Sequence, residues 1–171
     1  MKLFHGGLLE VKSPRIIQSE IGRDFGFGFY TTDIREQAER WALRRRRTVR
    51  RNGNMSACAV ISVFQFDEEL ARRQLHFCDF PDVSMDWLDM VVACRSDISF
   101  QHGFDIVTGK IANDNVGETI AYVLAGVMRK EDALERLKFQ KINNQFAFCT
   151  EKAIPFLTFD SSYTVEEQDN D

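Results

Sequence analysis

Between positions 24 and 32 the chain reads DFGFGFYTT, two glycines one residue apart among three phenylalanines and a tyrosine. This run is read as a strand entered through glycines, and what can surround it follows from that. A G-x-G motif suggests a dinucleotide fold. Here, however, no third glycine follows at the required spacing, and the glycines lead into a strand rather than a helix. In a regular strand Gly28 and Tyr30 share one face, and Phe27 and Phe29 share the other. Upstream, KLFHGG is a short apolar strand ending in a turn. Downstream, Asp33 is positioned to cap a helix over residues 34–51, with Ala38, Trp41 and Ala42 spaced for one buried face.

The rest of the chain keeps alternating between the two periods. ACAVISVFQFD is β-branched and aromatic and reads as a buried strand. A turn at 79–82 precedes a helix starting near Ser84, with Trp87, Val91 and Val92 facing inward. FDIVTGKIA is a strand, GETIAYVLAGV and KEDALERLKF are helices, NQFAFCT is a strand, and EKAIPFLTFD is a helical turn or short strand. With no repeat and no linker, the 171 residues suit one α+β domain over 1–163 followed by an acidic, frayed tail over 164–171.

Charge and cysteine use narrow the function classes. The formal net charge of −4 gives no global reason to expect nucleic acid or an anionic membrane as partner. No apolar run reaches the length of about 20 residues that a membrane helix needs, and MKLFHGGLLEVKSP has no apolar core of signal-peptide length. Cys58, Cys78, Cys94 and Cys149 form no CxxC pair, so neither a disulfide framework nor a zinc site is signalled, and a cytoplasmic setting is expected. P-loop, HExxH and GxSxG motifs are absent. Of the three histidines, His5 ends the first strand against glycines, where backbone can approach a ligand; His76 and His102 lie in less organised, polar stretches.

Taken together, FHGG, DFGFGFYTT and NNQFAFCTE carry a resemblance. The chain resembles the ADP-ribosyltransferase superfamily, in its diphtheria-toxin-like and poly-ADP-ribose-polymerase-like branch, whose three strand motifs supply a His, a Tyr and a third polar residue. It is most similar there to a bacterial family of unknown function with a YHGS start, a DFGxGFYxT strand followed by QAxxWA, a WLD helix, a DIVxGxVADD segment and a QxxFxTExAL end. The matching stretches here are FHGG, DFGFGFYTT, QAERWA, DWLDMV, DIVTGKIAND and NQFAFCTEKAI, in order over roughly residues 3–159.

The resemblance implies a split β-sheet core with peripheral helices and NAD as co-substrate, with no metal. It implies His5, Tyr30 and Gln145 as catalytic residues, and His5, Gly6, Gly28, Tyr30, Thr31 and Gln145 as NAD-binding residues. His5 would meet the adenosine-side ribose, Gly6 backbone the nicotinamide amide, and Tyr30 would stack on the nicotinamide ring. The bond to nicotinamide breaks through a transition state like that of glycoside hydrolysis, with positive charge at the anomeric carbon. Polymerase-like relatives often carry glutamate at the third position. Gln145 can hydrogen-bond a ribose hydroxyl but brings no charge and is no general base. Asn143 stands two residues earlier. Glu151 is an alternative carboxylate or a solvated cap, and Asp105 and Asp114 are supporting groups or turn residues. The arginine-rich run over 44–51 is a solvated helix end or a landing strip for the phosphates of NAD or of a nucleic-acid recipient, and Trp41 and Trp87 read as core.

The implied function is a mono-ADP-ribosyltransferase modifying a protein or nucleic acid, as a bacterial toxin or effector with a protein antitoxin as partner. A catalytically weak NAD- or ADP-ribose-binding module, or an NAD glycohydrolase, are the alternatives.

Overall fold

A computed structural model describes residues 1–18, 23–111, 114–137 and 143–166. Strand β1 (Lys2–Gly7) runs antiparallel to β3 (Ala59–Phe66), which pairs with β7 (Leu157–Val165). In a second sheet, β2 (Phe29–Thr31) pairs with β6 (Asn143–Phe148), β6 with β5 (Ile106–Ile111), and β5 runs parallel to β4 (Phe77–Phe80). Two sheets of three and four strands, with five α-helices among the described residues, make an α+β fold.

Reciprocal backbone bonds join the sheets: Phe4 N–H donates to Thr32 O at 2.8 Å, and Thr32 N–H to Phe4 O at 3.0 Å. Such bonds contribute about 1 kcal/mol each, whereas a fully buried phenylalanine contributes about 2 kcal/mol. Phe29, Phe64, Phe66, Phe146 and Phe148 are all buried in one cluster with Leu3, so the aromatic layer between the sheets is the stronger link. Phe66 and Phe148 meet edge to face with centroids 5.2 Å apart.

Strand alternation sends Val107 and Ala147 to the other face of the second sheet. There α3 (Met85–Ser96), α4 (Asp114–Leu124) and α5 (Lys130–Leu137) cover them with Trp87, Leu88, Val91, Ile120, Ala133 and Leu137. On the outside of the first sheet, α1 (Arg35–Arg51) packs Ala38 and Ala42 on Ala59, Ile61 and Val63.

Several local expectations are corrected. Asp33 does not cap α1: the cap residue is Ile34, and it is the Thr32 hydroxyl that accepts the Ile34 N–H at 3.1 Å. Trp41 is 49% exposed, because the buried arc of the helix runs through Ala38, Ala42 and Arg46 and leaves residue 41 beside it. Trp87 is fully buried as expected, and Ser84 caps its helix by accepting the Trp87 N–H. The expected turn at 79–82 begins inside β4, preceded by α2 (Glu68–Gln74), which Asp67 caps. Finally, β7 extends to Val165, past the expected boundary at 163; residues 167–171 of the tail lie outside the described residues.

Candidate functional site

β1 and β2 meet at the bridge between Phe4 and Thr32, and beyond it no backbone bond joins the two strands among the described residues. The bond pairing of β1 with β3 alternates, so Phe4 turns its backbone groups toward β2, and Gly6, two residues on, points its N–H and C=O the same way. On β2 the same alternation turns the backbone of Tyr30 toward β1, since that of Thr32 is already so directed. The result is a gap edged by Gly6 and Tyr30 backbone. The His5 imidazole spans it, with Nδ1 2.7 Å from Tyr30 O.

That bond decides the His5 tautomer. A carbonyl oxygen only accepts, so Nδ1 carries the hydrogen, and the neutral ring leaves its Nε2 lone pair for another donor. The ring stacks on Phe29 with centroids 4.5 Å apart. Burial pushes the His5 pKa below the ordinary 6.5; the bond to Tyr30 opposes this, and the charges of Arg45 and Arg23 add to it. Unfolded, the imidazole takes its proton near 6.5, so the unfolded chain binds protons in preference to the folded one below that pH. The contribution of neutral His5 to stability is therefore intact above about 6.5 and is lost as pH falls through the lowered folded value. Denaturant midpoints followed between about pH 7.5 and 5 are expected to fall less steeply in His5→Gln than in the wild type; parallel curves would place the proton uptake elsewhere.

Tyr30 is held from behind. Its hydroxyl donates to Gly26 O at 2.5 Å and accepts Phe25 N–H at 3.3 Å, which folds residues 24–28 back over the strand. Burial raises the phenol well above its ordinary pKa, so the group remains a neutral hydroxyl. On the ring face stands a flat cation: the Arg23 guanidinium carbon is 5.3 Å from the Tyr30 centroid. The glycines have structural duties here. Gly26 adopts φ 73°, which L side chains rarely accept. A Cβ on Gly28 would lie 2.8 Å from Phe148 O, so its absence lets residue 28 press onto β6.

The same loop is fastened from three other sides. Asp24 is buried and paired with Arg95 at 2.6 Å. Phe25 O accepts His102 Nε2–H at 3.2 Å, while His102 Nδ1 accepts Phe104 N–H at 3.1 Å. His102 is thus an organised, neutral residue rather than one in loose surroundings, and burial lowers its pKa. Cys149 also reaches Phe25 O, its thiol pushed up to about 12 by burial. Nothing in the residue spacing signalled this clasp, because its members come from four distant segments.

Gln145 lies two residues along β6 from Ala147, which is paired with Tyr30, so Gln145 and Tyr30 share one face. Its Oε1 is buried with no hydrogen-bond partner, a costly condition for an amide oxygen. Opposite it on β5 is Gly109, tight against Phe25 and Phe80. His5 joins this face through the Tyr30 carbonyl; its own ring sits with Phe29 on the side of the inter-sheet core.

The other candidates are distributed as follows. Thr31 is buried, and its hydroxyl is directed to Phe146 O at 3.5 Å. Gly6 is closed in on its other side by α1, and a Cβ there would fall well inside contact distance of the Ala38 carbonyl. Glu151 is exposed in a turn beyond the end of β6. Asp105 accepts the Thr150 hydroxyl at 2.6 Å and the His76 N–H at 3.0 Å, tying the ends of β4 and β6 to β5. The side chains of Asn143 and Asp114 lie outside the described residues. A concavity of about 770 Å³ lies elsewhere, lined by Gln65, Asp67, Glu68, Gln74 and Phe156 beside α2. No helix among the described residues is long and apolar enough to cross a membrane.

Residues 1–159 match the family described as Protein of unknown function (DUF3990). No curated protein and no solved structure matches the chain.

Proposed function

The chain belongs to that DUF3990 family, and within it we propose an NAD-dependent mono-ADP-ribosyltransferase acting on a macromolecule, in the role of a bacterial toxin or effector that a protein antitoxin restrains. The observation that carries this reading is Tyr30. Its hydroxyl is tethered to Gly26, its ring face already holds a planar cation, and it borders the gap edged by Gly6. Nicotinamide in NAD is also a planar cation with an amide, so ring stacking on Tyr30 with amide bonding to Gly6 backbone suits it. Arg23 has to leave the ring for that stacking to occur.

The remaining groups fit the chemistry of the glycosidic bond. Nε2 of neutral His5 accepts a ribose hydroxyl. Gln145 Oε1, buried and unpartnered, accepts another. As the bond from ribose C1 to nicotinamide nitrogen breaks, the electron pair leaves with nicotinamide, which becomes neutral. The recipient's nucleophile attacks C1 and releases its proton to solvent water. Positioning supplies the catalysis, because Gln145 cannot offset the charge at C1 as a carboxylate does.

Purified protein incubated with labelled NAD and cell extract tests the reading. Nicotinamide release with label on a macromolecule is expected. Free ADP-ribose without labelled macromolecule would make the protein a glycohydrolase, and bound but intact NAD would make it a binding module. Gln145→Ala is expected to lower kcat/KM for nicotinamide release by about 10- to 100-fold, the scale of one lost hydrogen bond at a reacting sugar. An unchanged rate removes Gln145 from the site.

A further inference from the structure

Helix α1 carries eight arginines and two glutamates in a chain whose formal net charge is −4. Their duties separate in the fold. Arg35 pairs with Glu39 at 2.8 Å, buried Arg46 donates to Val165 O at 3.2 Å, and Arg50 donates to Ala57 O at 3.2 Å. Arg40, Arg44, Arg47 and Arg51 recur at i, i+4, i+7 and i+11 and are all exposed, so they form one stripe along the outer face. At 1.5 Å per residue the stripe runs about 16 Å. Beside it Trp41 is 49% exposed, an indole that packs into no core. Arg45, one turn beyond Trp41, is exposed on the same flank and near enough to His5 for its charge to act on the imidazole. The tight seat of Gly6 on Ala38 and Ala42 brings this flank against the strand that edges the gap.

We propose that the outer face of α1 docks single-stranded nucleic acid, with phosphates along Arg40, Arg44, Arg47 and Arg51 and an unpaired base on Trp41. The stripe is one helix wide on an otherwise acidic protein, which suits a single strand better than a duplex, whose second backbone would meet negative charge. An exposed indole offers stacking that only an unpaired base can use. That the docked strand receives the ADP-ribose rests on the function proposed above; the docking itself does not.

The test is fluorescence anisotropy, without NAD, on the full chain with labelled 20-nucleotide dT and U oligomers, a duplex of equal length and an acidic peptide. Saturable binding of a single strand is expected, its affinity falling with salt with a log–log slope near about −3, as four arginine–phosphate contacts give. Dominance of the dT or the U oligomer identifies DNA or RNA. Replacing Arg40, Arg44 and Arg47 together by Gln is expected to weaken binding at least tenfold and flatten the slope, whereas the Lys triple retains both. Trp41→Ala is expected to weaken binding about fivefold or more and leave the slope unchanged. These positions are exposed, and circular dichroism checks that the variants fold. Absence of saturable binding near 50 mM salt overturns the proposal, as does equal binding by the Gln triple or preference for the duplex or the peptide. Nicotinamide release, measured separately, can fail while docking succeeds, and the reverse.

Discussion

Tyr30→Ala is expected to reduce kcat/KM for nicotinamide release by at least about 100-fold, equivalent to about 2.7 kcal/mol of transition-state stabilisation. Two losses combine in this variant. The ring that would stack on nicotinamide disappears, and the Gly26 carbonyl and Phe25 N–H lose the hydroxyl that anchors residues 24–28. Tyr30→Phe separates them: it keeps the ring face and releases the tether, so a smaller loss, about tenfold, is expected. Release is measured by chromatography of nicotinamide over a range of NAD concentrations. If Tyr30→Ala retains activity within about threefold, stacking on this ring has no part in the reaction and the proposed function loses its main support. Because the phenol stays protonated across neutral pH, no inflection from this group is expected in the rate profile there.

Gly6→Ala is expected to cost about 3 kcal/mol of stability, at the upper end for overpacking by one carbon. The neighbours a Cβ would meet are the Ala38 carbonyl and the Ala42 nitrogen, both backbone of one helix turn, and neither can rotate away. Relief requires α1 to lift from β1 as a body, which opens the contact with Ala59, Ile61 and Val63. In a chain of 171 residues this corresponds to a fall in Tm of about 6–12 °C by calorimetry. Gly117→Ala is the contrast. It lies within α4 with nothing near its missing Cβ, and the gain in helix propensity should hold or raise Tm. Equal Tm values for Gly6→Ala and the wild type would show that the helix seat is not as rigid as drawn.

Much of this architecture is written locally. Alanines four apart on α1, Ser84 before Trp87, and β-branched residues from Ala59 to Phe66 each specify an element through period, cap or propensity. Their packing then follows the apolar face, and the α+β class with it. The run of glycines and rings from 24 to 32 likewise announces an unusual backbone. Its reason is visible only in three dimensions, since the carbonyl that excludes a Cβ at Gly28 belongs to Phe148.

The candidate site divides in the same way. His5, Tyr30 and Gln145 are singled out by the resemblance that FHGG, DFGFGFYTT and NNQFAFCTE carry, because short motifs are local properties. That Tyr30 and Gln145 share a face, that His5 reaches Tyr30 through a carbonyl, and that Arg23 covers the ring all depend on pairing between separate strands or on the path of a loop. Short β4 escaped notice because four residues carry too little alternation, and its place is set by pairing with β5 and by the Asp79 ties to Arg72 and Thr108. Trp41 looked like core for a similar reason: helical spacing gives an angle, but only the sheet against α1 decides which angle is buried. Most of the elements and the glycine-rich loop follow from propensities and periods within one segment, and the candidate groups from the short motifs that carry the resemblance. Tertiary structure alone decided which arginines of α1 became struts and which became an outer stripe, because burial is a property of the neighbours a residue meets.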